Sequence, residues 1–248
     1  MKKLLSFSAA ILLFVVLFSG CSEEKQKEVV PDVQLKSYQS GTHDGYFWSL
    51  WADDAGGYVD YSNGSGGNYS VSWDYNGNFT CGKGWSSGSN NRVIGYNCGV
   101  HNHNGGGVFG YYGWSRNPLM EYYVNERWGS GRPDGGTRLG SVSSDGGTYE
   151  IYTAMRYNAP SIDGTQTFRQ IYSTRTSEAP TGSNRTITFA NHYNAWRNAG
   201  YGLGSDMSPA AILLTEAYGG SDGYVNATVW EAGTSSGGSS GGGSSSGG

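Results

Sequence analysis

Short runs of aromatic, threonine and valine residues recur along most of the chain, and glycine, asparagine and serine separate them. Glycine supplies 42 of the 248 residues, while leucine, lysine and glutamate are scarce, which disfavours helices. Aromatic and β-branched residues pack well on a pleated sheet, and the separating residues favour tight turns. The sequence therefore predicts an all-β domain of antiparallel strands. One short helix is expected over about Tyr193 to Ala199, with Gly200 capping its end.

One strand is predicted between Pro118 and Gly129, which mark its ends. Alternation places Glu121 and Tyr123 on one face, together with Leu119 and Asn125, and an apolar set of Met120, Tyr122 and Val124 behind them. A carboxylate beside a phenol suits a sugar-binding cleft, because the phenol stacks or hydrogen-bonds and the acid does chemistry. Taken alone, an exposed glutamate on a solvated face is the commoner explanation. Glu126 has the opposite parity and should face away from Glu121.

A second lone acid lies in another apolar strand run. Glu216 sits within Leu213–Tyr218, directly before Gly219 and Gly220. Glycosidases pair two carboxyl groups, one as nucleophile or base and the other as acid. Two acids on facing strands would therefore convert a binding face into a catalytic one.

The segments around these acids resemble glycoside hydrolase family 11, the endo-β-1,4-xylanases. Residues 112–123, which read Tyr-Gly-Trp-Ser-Arg-Asn-Pro-Leu-Met-Glu-Tyr-Tyr, are similar to that family's nucleophile strand. Residues 215–218 are similar to its acid/base strand, and residues 156–164 to its thumb loop. The resemblance runs from about Tyr46 to Trp230. It implies a β-jelly-roll sandwich of two antiparallel sheets, with a concave cleft and a thumb over it.

The resemblance also implies an activity and a set of site residues. The expected reaction is retaining hydrolysis of internal β-1,4-xylosidic bonds, with Glu121 as nucleophile and Glu216 as acid/base. Supporting roles fall to Asn78, Tyr112, Tyr123 and Arg156. The residues expected to bind xylan or xylo-oligosaccharides are Trp51, Pro160, Ser161, Ile162, Gln170 and Tyr218.

Asn78 bears on the pH dependence. It follows Asn76-Gly77, a tight-turn dipeptide that predicts a hairpin. In the resembling family this position touches the acid/base glutamate; members with aspartate there work in acid, and those with asparagine work nearer neutral pH. A second carboxyl beside Glu216 would share a proton with it, whereas asparagine cannot ionise. We therefore expect a near-neutral optimum.

Three cleft positions depart from the family pattern. Val108 and Tyr172 replace a tyrosine and a tryptophan, and Ala210 replaces a tyrosine near the glycone end. None of them is expected to touch the catalytic pair. They bear on distal subsites and on the preference for decorated chains.

The N-terminus predicts export. Lys2-Lys3 precede an apolar run from Leu4 to Phe18, and small residues stand directly before Cys21. We expect a lipoprotein-type signal peptide over 1–20, a lipid on Cys21 that anchors the protein to a bacterial membrane, and a tether over 21–40. The acidic segment 22–25 also resembles surface-export signals. An ordinary signal peptide is the alternative. A catalytic domain over 41–232 and a Gly/Ser linker over 233–248 complete the prediction.

Other partners and alternatives follow from charge and spacing. A net charge of −4 without a basic stripe argues against nucleic acid. No metal-ligand spacing or cofactor motif is expected, and we expect a monomer. Export favours a disulfide between Cys81 and Cys98, with two buried thiols as the alternative. The rival functions are an endo-β-glucanase and a non-catalytic carbohydrate-binding sandwich, because fold alone does not choose among them.

Overall fold

The computed structural model describes residues 37–234. The predicted signal peptide, the lipidation of Cys21, residues 21–36 of the predicted tether and residues 235–248 of the predicted Gly/Ser linker lie outside these residues. The predicted boundary between tether and catalytic domain at residue 41 is wrong, because residues 37–40 already pair with residues 49–52 in the sheet. The described chain forms β1 (Ser37–His43), β2 (Tyr46–Ala52), β3 (Gly57–Asn63), β4 (Asn68–Tyr75), β5 (Phe79–Trp85), β6 (Arg92–Ser115), β7 (Met120–Trp128), β8 (Thr137–Ser144), β9 (Gly147–Ser161), β10 (Gly164–Arg175), β11 (Asn184–Thr188), α1 (Phe189–Asn198) and β12 (Ala211–Thr234).

Two long strands, β6 and β12, connect the layers of the sandwich. Their cleft-side halves belong to a large sheet of order β1-β2-β5-β12-β6-β7-β10-β9-β8. Their other halves pair with β4 and β11, and β3 completes this smaller layer. The all-β jelly-roll prediction is confirmed. The layers are nevertheless one hydrogen-bonded network, because β6 and β12 run through both. One pair of strands in the large sheet, β7 with β10, is parallel.

The main core lies between the layers and is aromatic. Trp48 of β2 stacks on Tyr61 of β3 at 5.4 Å between ring centroids. Trp73 of β4 meets Phe79 of β5 edge-to-face at 5.5 Å. Each ring removes a large apolar area from water and adds a specific contact, so these pairs hold the layers together.

Strand β7 has the predicted parity. Met120, Tyr122 and Val124 are buried in the core between the layers, whereas Glu121 and Tyr123 line the concave side. Glu126 faces the core, as its parity predicts. Its carboxylate accepts hydrogen bonds from Tyr96 at 2.7 Å and from Tyr149, and it pairs with Arg175 at 3.2 Å.

The predicted hairpin at Asn76-Gly77 is wrong. Strand β4 pairs with β3 and β12 in the smaller layer, while β5 pairs with β2 and β12 in the large sheet. The turn therefore carries the chain from one layer to the other. A tight-turn dipeptide fixes the local reversal but not the sheet that the next strand joins.

The predicted disulfide is also wrong, because Cys81 and Cys98 are buried free thiols. Cys81 lies opposite Thr215 in the large sheet, and Cys98 lies opposite Ala227 in the smaller layer. The side chain of Tyr69, which extends from β4 in the smaller layer, lies between the two layers, and its hydroxyl is 3.0 Å from Oγ1 of Thr215 in the large sheet. Stacked sheets lie about 10 Å apart, whereas a disulfide needs Cα atoms within about 7 Å.

Helix α1 begins four residues before the predicted start, and Asp145 explains the difference. This residue lies in the β8–β9 turn with φ of 49°. Its carboxylate accepts hydrogen bonds from the hydroxyl and backbone N–H of Thr188, both at 2.8 Å, and from Thr186 at 2.9 Å. A partner more than forty residues away thus fixes the helix start. Gly200, with φ of 91°, follows the helix end as expected.

Replacing Asp145 by alanine should lower the free energy of unfolding by about 2 kcal/mol, because Thr186 and Thr188 lose their acceptor at the start of α1. Burial works to raise the pKa of Asp145, but hydrogen bonds from Ser144 and Thr188 lower it overall. A lowered folded pKa stabilises the protein above the unfolded pKa, so the effect should shrink as the pH falls below about 4. Urea unfolding at pH 7 and pH 3 measures it.

Asp44→Ala is the matched control. Asp44 has the same φ of 49° in the β1–β2 turn, but its carboxylate accepts one backbone hydrogen bond, from Gly66 at 2.9 Å. An equal loss of unfolding free energy in Asp145→Ala and Asp44→Ala would mean that turn strain, and not the anchoring of α1, explains the effect.

Within residues 37–234, no helix is both long enough and apolar enough to cross a membrane.

Candidate active site

A cleft of about 790 Å³ opens on the concave face of the large sheet. It brings together every residue predicted for catalysis, support or sugar binding in the folded domain. The three departures from the family pattern line it as well: Val108, Tyr172 and Ala210. A second apolar cluster contributes to the lining of the cleft through Tyr112, Trp114, Tyr123 and Phe168, and Ile212 and Leu214 belong to the same cluster.

The curvature of the sheet brings the two acids into one cleft. Glu121 lies opposite Trp114 of β6, whereas Glu216 lies opposite Val108 of the same strand. Six residues along a flat strand would separate them by about 20 Å. Both side chains nevertheless line one cavity, and Tyr123 hydrogen-bonds to each of them. The twist and bend of the sheet therefore place them together.

Glu121 is held by three hydrogen-bond donors. The Tyr112 hydroxyl donates to Oε1 at 3.0 Å, and Nε2 of Gln170 donates to Oε2 at 2.7 Å. Burial raises the pKa of Glu121, while hydrogen bonds from Gln170, Tyr123 and Tyr112 limit the rise. These donors fix the carboxylate in place and favour its ionised form against the effect of burial.

Glu216 has a different environment. Burial and the charge of Glu121 raise its pKa to about 8, against the opposing hydrogen bonds from Tyr123 and Asn78. The charge of Glu121 thus favours the protonated form of Glu216, while the hydrogen bonds to Glu121 favour the carboxylate form of Glu121. A buried carboxylate beside a buried carboxylic acid is the arrangement needed for nucleophilic attack combined with general-acid catalysis.

The thumb is the β9–β10 connection, and its tip is bound to the β6–β7 connection. Strand β9 continues to Ser161, and β10 starts at Gly164. Arg116 forms a bidentate pair with Asp163 at the tip, with Nη2 2.7 Å from Oδ1. The same guanidinium reaches the carbonyl of Ser208 at 3.0 Å. The predicted contact residues Pro160, Ser161 and Ile162 are thereby held at the edge of the cleft.

Some cleft residues were not singled out from the sequence, notably Trp114, Phe168, Phe47 and Pro209. Trp114 donates a hydrogen bond to the Tyr112 hydroxyl and packs edge-to-face on Phe168 at 4.8 Å. Parity could have identified two of them. Trp114 lies two positions from Tyr112 and Phe168 two positions from Gln170, so each shares a strand face with a predicted site residue.

Comparison with known proteins identifies the family. A family model described as "Glycosyl hydrolases family 11" matches residues 43–228. "Endo-1,4-beta-xylanase 3" of Pyricularia oryzae is 49% identical over 191 residues, 77% of this chain and 78% of the relative. "Endo-1,4-beta-xylanase" of Byssochlamys spectabilis is 46% identical over 194 residues, covering 78% and 96%. "Ethylene-inducing xylanase" of Hypocrea rufa is 43% identical over 219 residues, covering 87% and 95%. The chain belongs to glycosyl hydrolase family 11.

Proposed function

We propose that this protein is an endo-1,4-β-xylanase that hydrolyses internal bonds of xylan with retention of anomeric configuration. The observation that carries the proposal is the buried pair Glu121 and Glu216, which lie together in an open cleft. Such a cleft accepts the middle of a polymer as well as its end. The family and the names of the relatives favour xylan as the polymer.

The first step forms a glycosyl-enzyme. The carboxylate of Glu121 attacks the anomeric carbon, the glycosidic C–O bond breaks, and Glu216 transfers its proton to the leaving oxygen. Tyr112 and Gln170 hold Glu121 in line for the attack. Preorganised donors of this kind cost no rearrangement when the charge moves.

The second step reverses the proton flow. Once esterified, Glu121 carries no charge, so its contribution to the raised pKa of Glu216 is lost. The Glu216 carboxylate then takes a proton from water, and the water oxygen attacks the anomeric carbon. The ester bond breaks, Glu121 becomes a carboxylate again, and Glu216 ends protonated. The loss of the charge of Glu121 thus changes Glu216 from the acid of the first step into the base of the second.

The remaining cleft residues are proposed to bind the chain. Trp51 would stack on a sugar at the glycone side, and the thumb residues Pro160, Ser161 and Ile162 would cover the reacting units. Tyr218, which is 38% exposed, is available for stacking beyond Glu216. Arg156 lies at the base of the thumb and acts on both carboxyls through its charge.

Reducing-sugar release from xylan and from carboxymethylcellulose tests the proposal. Turnover on xylan alone is expected. Turnover on both polymers would widen the substrate class to glucans and leave the mechanism standing. Binding to xylan without turnover would instead favour a non-catalytic carbohydrate-binding sandwich.

The rate should be greatest near neutral pH. It should fall on the alkaline side near pH 8, where Glu216 loses its proton, and on the acid side, where Glu121 gains one. Asn78→Asp should move the optimum to lower pH by at least about one unit, because the new carboxyl shares a proton with Glu216. Rate profiles of kcat/KM on xylan decide this. A wild-type maximum below pH 4.5, or an unshifted variant, would contradict the role of Asn78.

An enzyme that hydrolyses xylan must be exported, because the intact polymer is too large to enter a cell. We further propose that residues 1–20 are a lipoprotein-type signal, that Cys21 carries the lipid, and that residues 21–36, which precede β1, tether a monomeric catalytic domain to the membrane. Such an anchor keeps the products near the producing cell. Mass spectrometry of the native N-terminus should show a lipidated Cys21; an unmodified or absent Cys21 would remove this part of the proposal.

A further inference from the structure

We propose that Asp53 is a positioning residue for the reaction: its carboxylate fixes Asn78 in the orientation in which that amide contacts Glu216. Asp53 directly follows β2, and Asn78 directly precedes the neighbouring strand β5. The inference rests on the proposed role of Glu216 as acid/base and extends it to the residue behind Asn78.

Two reciprocal hydrogen bonds join Asp53 to Asn78. The backbone N–H of Asn78 donates to Oδ2 of Asp53 at 2.9 Å, and the backbone N–H of Asp53 donates to the carbonyl of Asn78 at 2.9 Å. The Tyr75 hydroxyl donates in turn to the carbonyl of Asp53. Both backbone groups of Asn78 are thus held, so its side chain leaves from a fixed Cα position.

The other carboxylate oxygen of Asp53 packs against the preceding turn. A Cβ atom on Gly77 would lie 1.9 Å from Oδ1 of Asp53 and 2.5 Å from Cβ of Ala55. Within residues 37–234, Oδ1 of Asp53 and Oδ1 of Asn78 are buried without a hydrogen-bond partner. In the described part of the chain, no hydrogen bond to Oδ1 therefore orients the Asn78 amide, and the direction of the amide depends on the backbone that Asp53 holds.

Charged and titratable groups surround Glu216, and Asn78 is a contact that does not titrate. Glu121 and Tyr123 face it from β7, Tyr112 from β6, Arg156 from β9, and Tyr218 from its own strand. Asn78 is the amide among them, and its hydrogen bond favours the ionised form of Glu216. Asp53 therefore acts on Glu216 through Asn78: its hold on that residue favours the ionised form of Glu216.

Two substitutions separate the hydrogen bond of Asp53 to Asn78 from the charge of Asp53. Asp53→Asn removes the charge but keeps an oxygen that accepts the Asn78 N–H. Asp53→Ala removes both. On this account the basic limb of the kcat/KM profile on xylan lies about half a pH unit higher for Asp53→Ala than for Asp53→Asn. The alanine variant also loses about tenfold in kcat, because the acid is less well placed.

The double variant tests the route. Asn78→Ala should reproduce the shift seen in Asp53→Ala, and Asp53→Ala added to Asn78→Ala should shift the limb no further. Gly77→Ala keeps Asp53 but displaces its carboxylate, so it should shift the limb in the same direction. This variant keeps the test available if Asp53→Ala does not fold.

Two results would overturn the inference while the proposed function stands. One is a basic limb shared by Asp53→Ala and Asp53→Asn, with only the melting temperature lowered in the alanine variant. The other is a further shift in the double variant, which would mean a direct electrostatic effect. A wild-type protein without turnover on xylan would overturn the proposed function, and this inference with it.

Discussion

Replacing Glu121 by glutamine should lower kcat on xylan by about 10⁴-fold or more, because an amide of the same shape cannot form the ester intermediate. The fold should be retained. Glutamine can still accept from Tyr112 at the position of Oε1, although its NH₂ faces the amide of Gln170. Initial rates of reducing-sugar release, with unfolding curves for each protein, measure the effect.

Glu126→Gln is the matched control for Glu121→Gln. Glu126 is buried on the same strand, but it faces the core and pairs with Arg175. Its substitution should lower stability, because Arg175 is left without its partner, while turnover on xylan stays within about threefold of wild type. A large loss of turnover from Glu126→Gln, or a small one from Glu121→Gln, would show that the two acids have been assigned wrongly.

Replacing Glu216 by glutamine should lower kcat on xylan by about 10²- to 10⁴-fold, because the leaving sugar departs unprotonated. The loss should depend on the leaving group. A nitrophenolate needs no proton, so the first step with an aryl xylobioside should remain fast, and a burst of nitrophenol should precede slow hydrolysis. Rapid mixing resolves the two phases. A nucleophile variant would show no such burst, so the experiment separates the two roles.

The same substitution should stabilise the protein at alkaline pH. Burial and Glu121 raise the folded pKa of Glu216 from 4.5 to about 8. A raised folded pKa means that stability is fully present below the unfolded pKa and is lost as the pH rises through the folded one. Glutamine has no charge to bury, so the melting temperature of Glu216→Gln should exceed that of wild type increasingly between pH 4.5 and pH 8. A constant difference across this range would contradict the raised pKa.

Local features of the sequence predict strand faces well. Alternation along β7 separates Glu121 and Tyr123 from Tyr122 and Glu126, because side-chain direction in a strand depends only on neighbouring residues. The meeting of Glu121 with Glu216 is different. It depends on the register of two strands against β6 and on the bend of the sheet, which no local pattern encodes. Resemblance to the family, and not periodicity, predicted that pair.

Long-range contacts also explain the errors. The start of α1 depends on Asp145, which lies in a distant turn. Export alone favoured a disulfide, but Cys81 and Cys98 lie in different layers. Asp53 was overlooked because its partner Asn78 lies 25 positions away and joins it only after β2 and β5 have paired. Each of these features follows from strand pairing, which the sequence specifies only through the whole fold.

The central claim is that Glu121 forms a covalent bond to the sugar. A 2-deoxy-2-fluoro xylobioside with an activated leaving group tests it most directly. The fluorine slows both formation and hydrolysis of the glycosyl-enzyme, and the activated leaving group restores the rate of formation, so the intermediate accumulates. Peptide mass spectrometry after incubation should find one added xylobiosyl group on Glu121 and none in Glu121→Gln. A label on another residue would contradict the assignment. Full turnover without any label, with the α-anomer of xylan products formed first, would contradict retention itself.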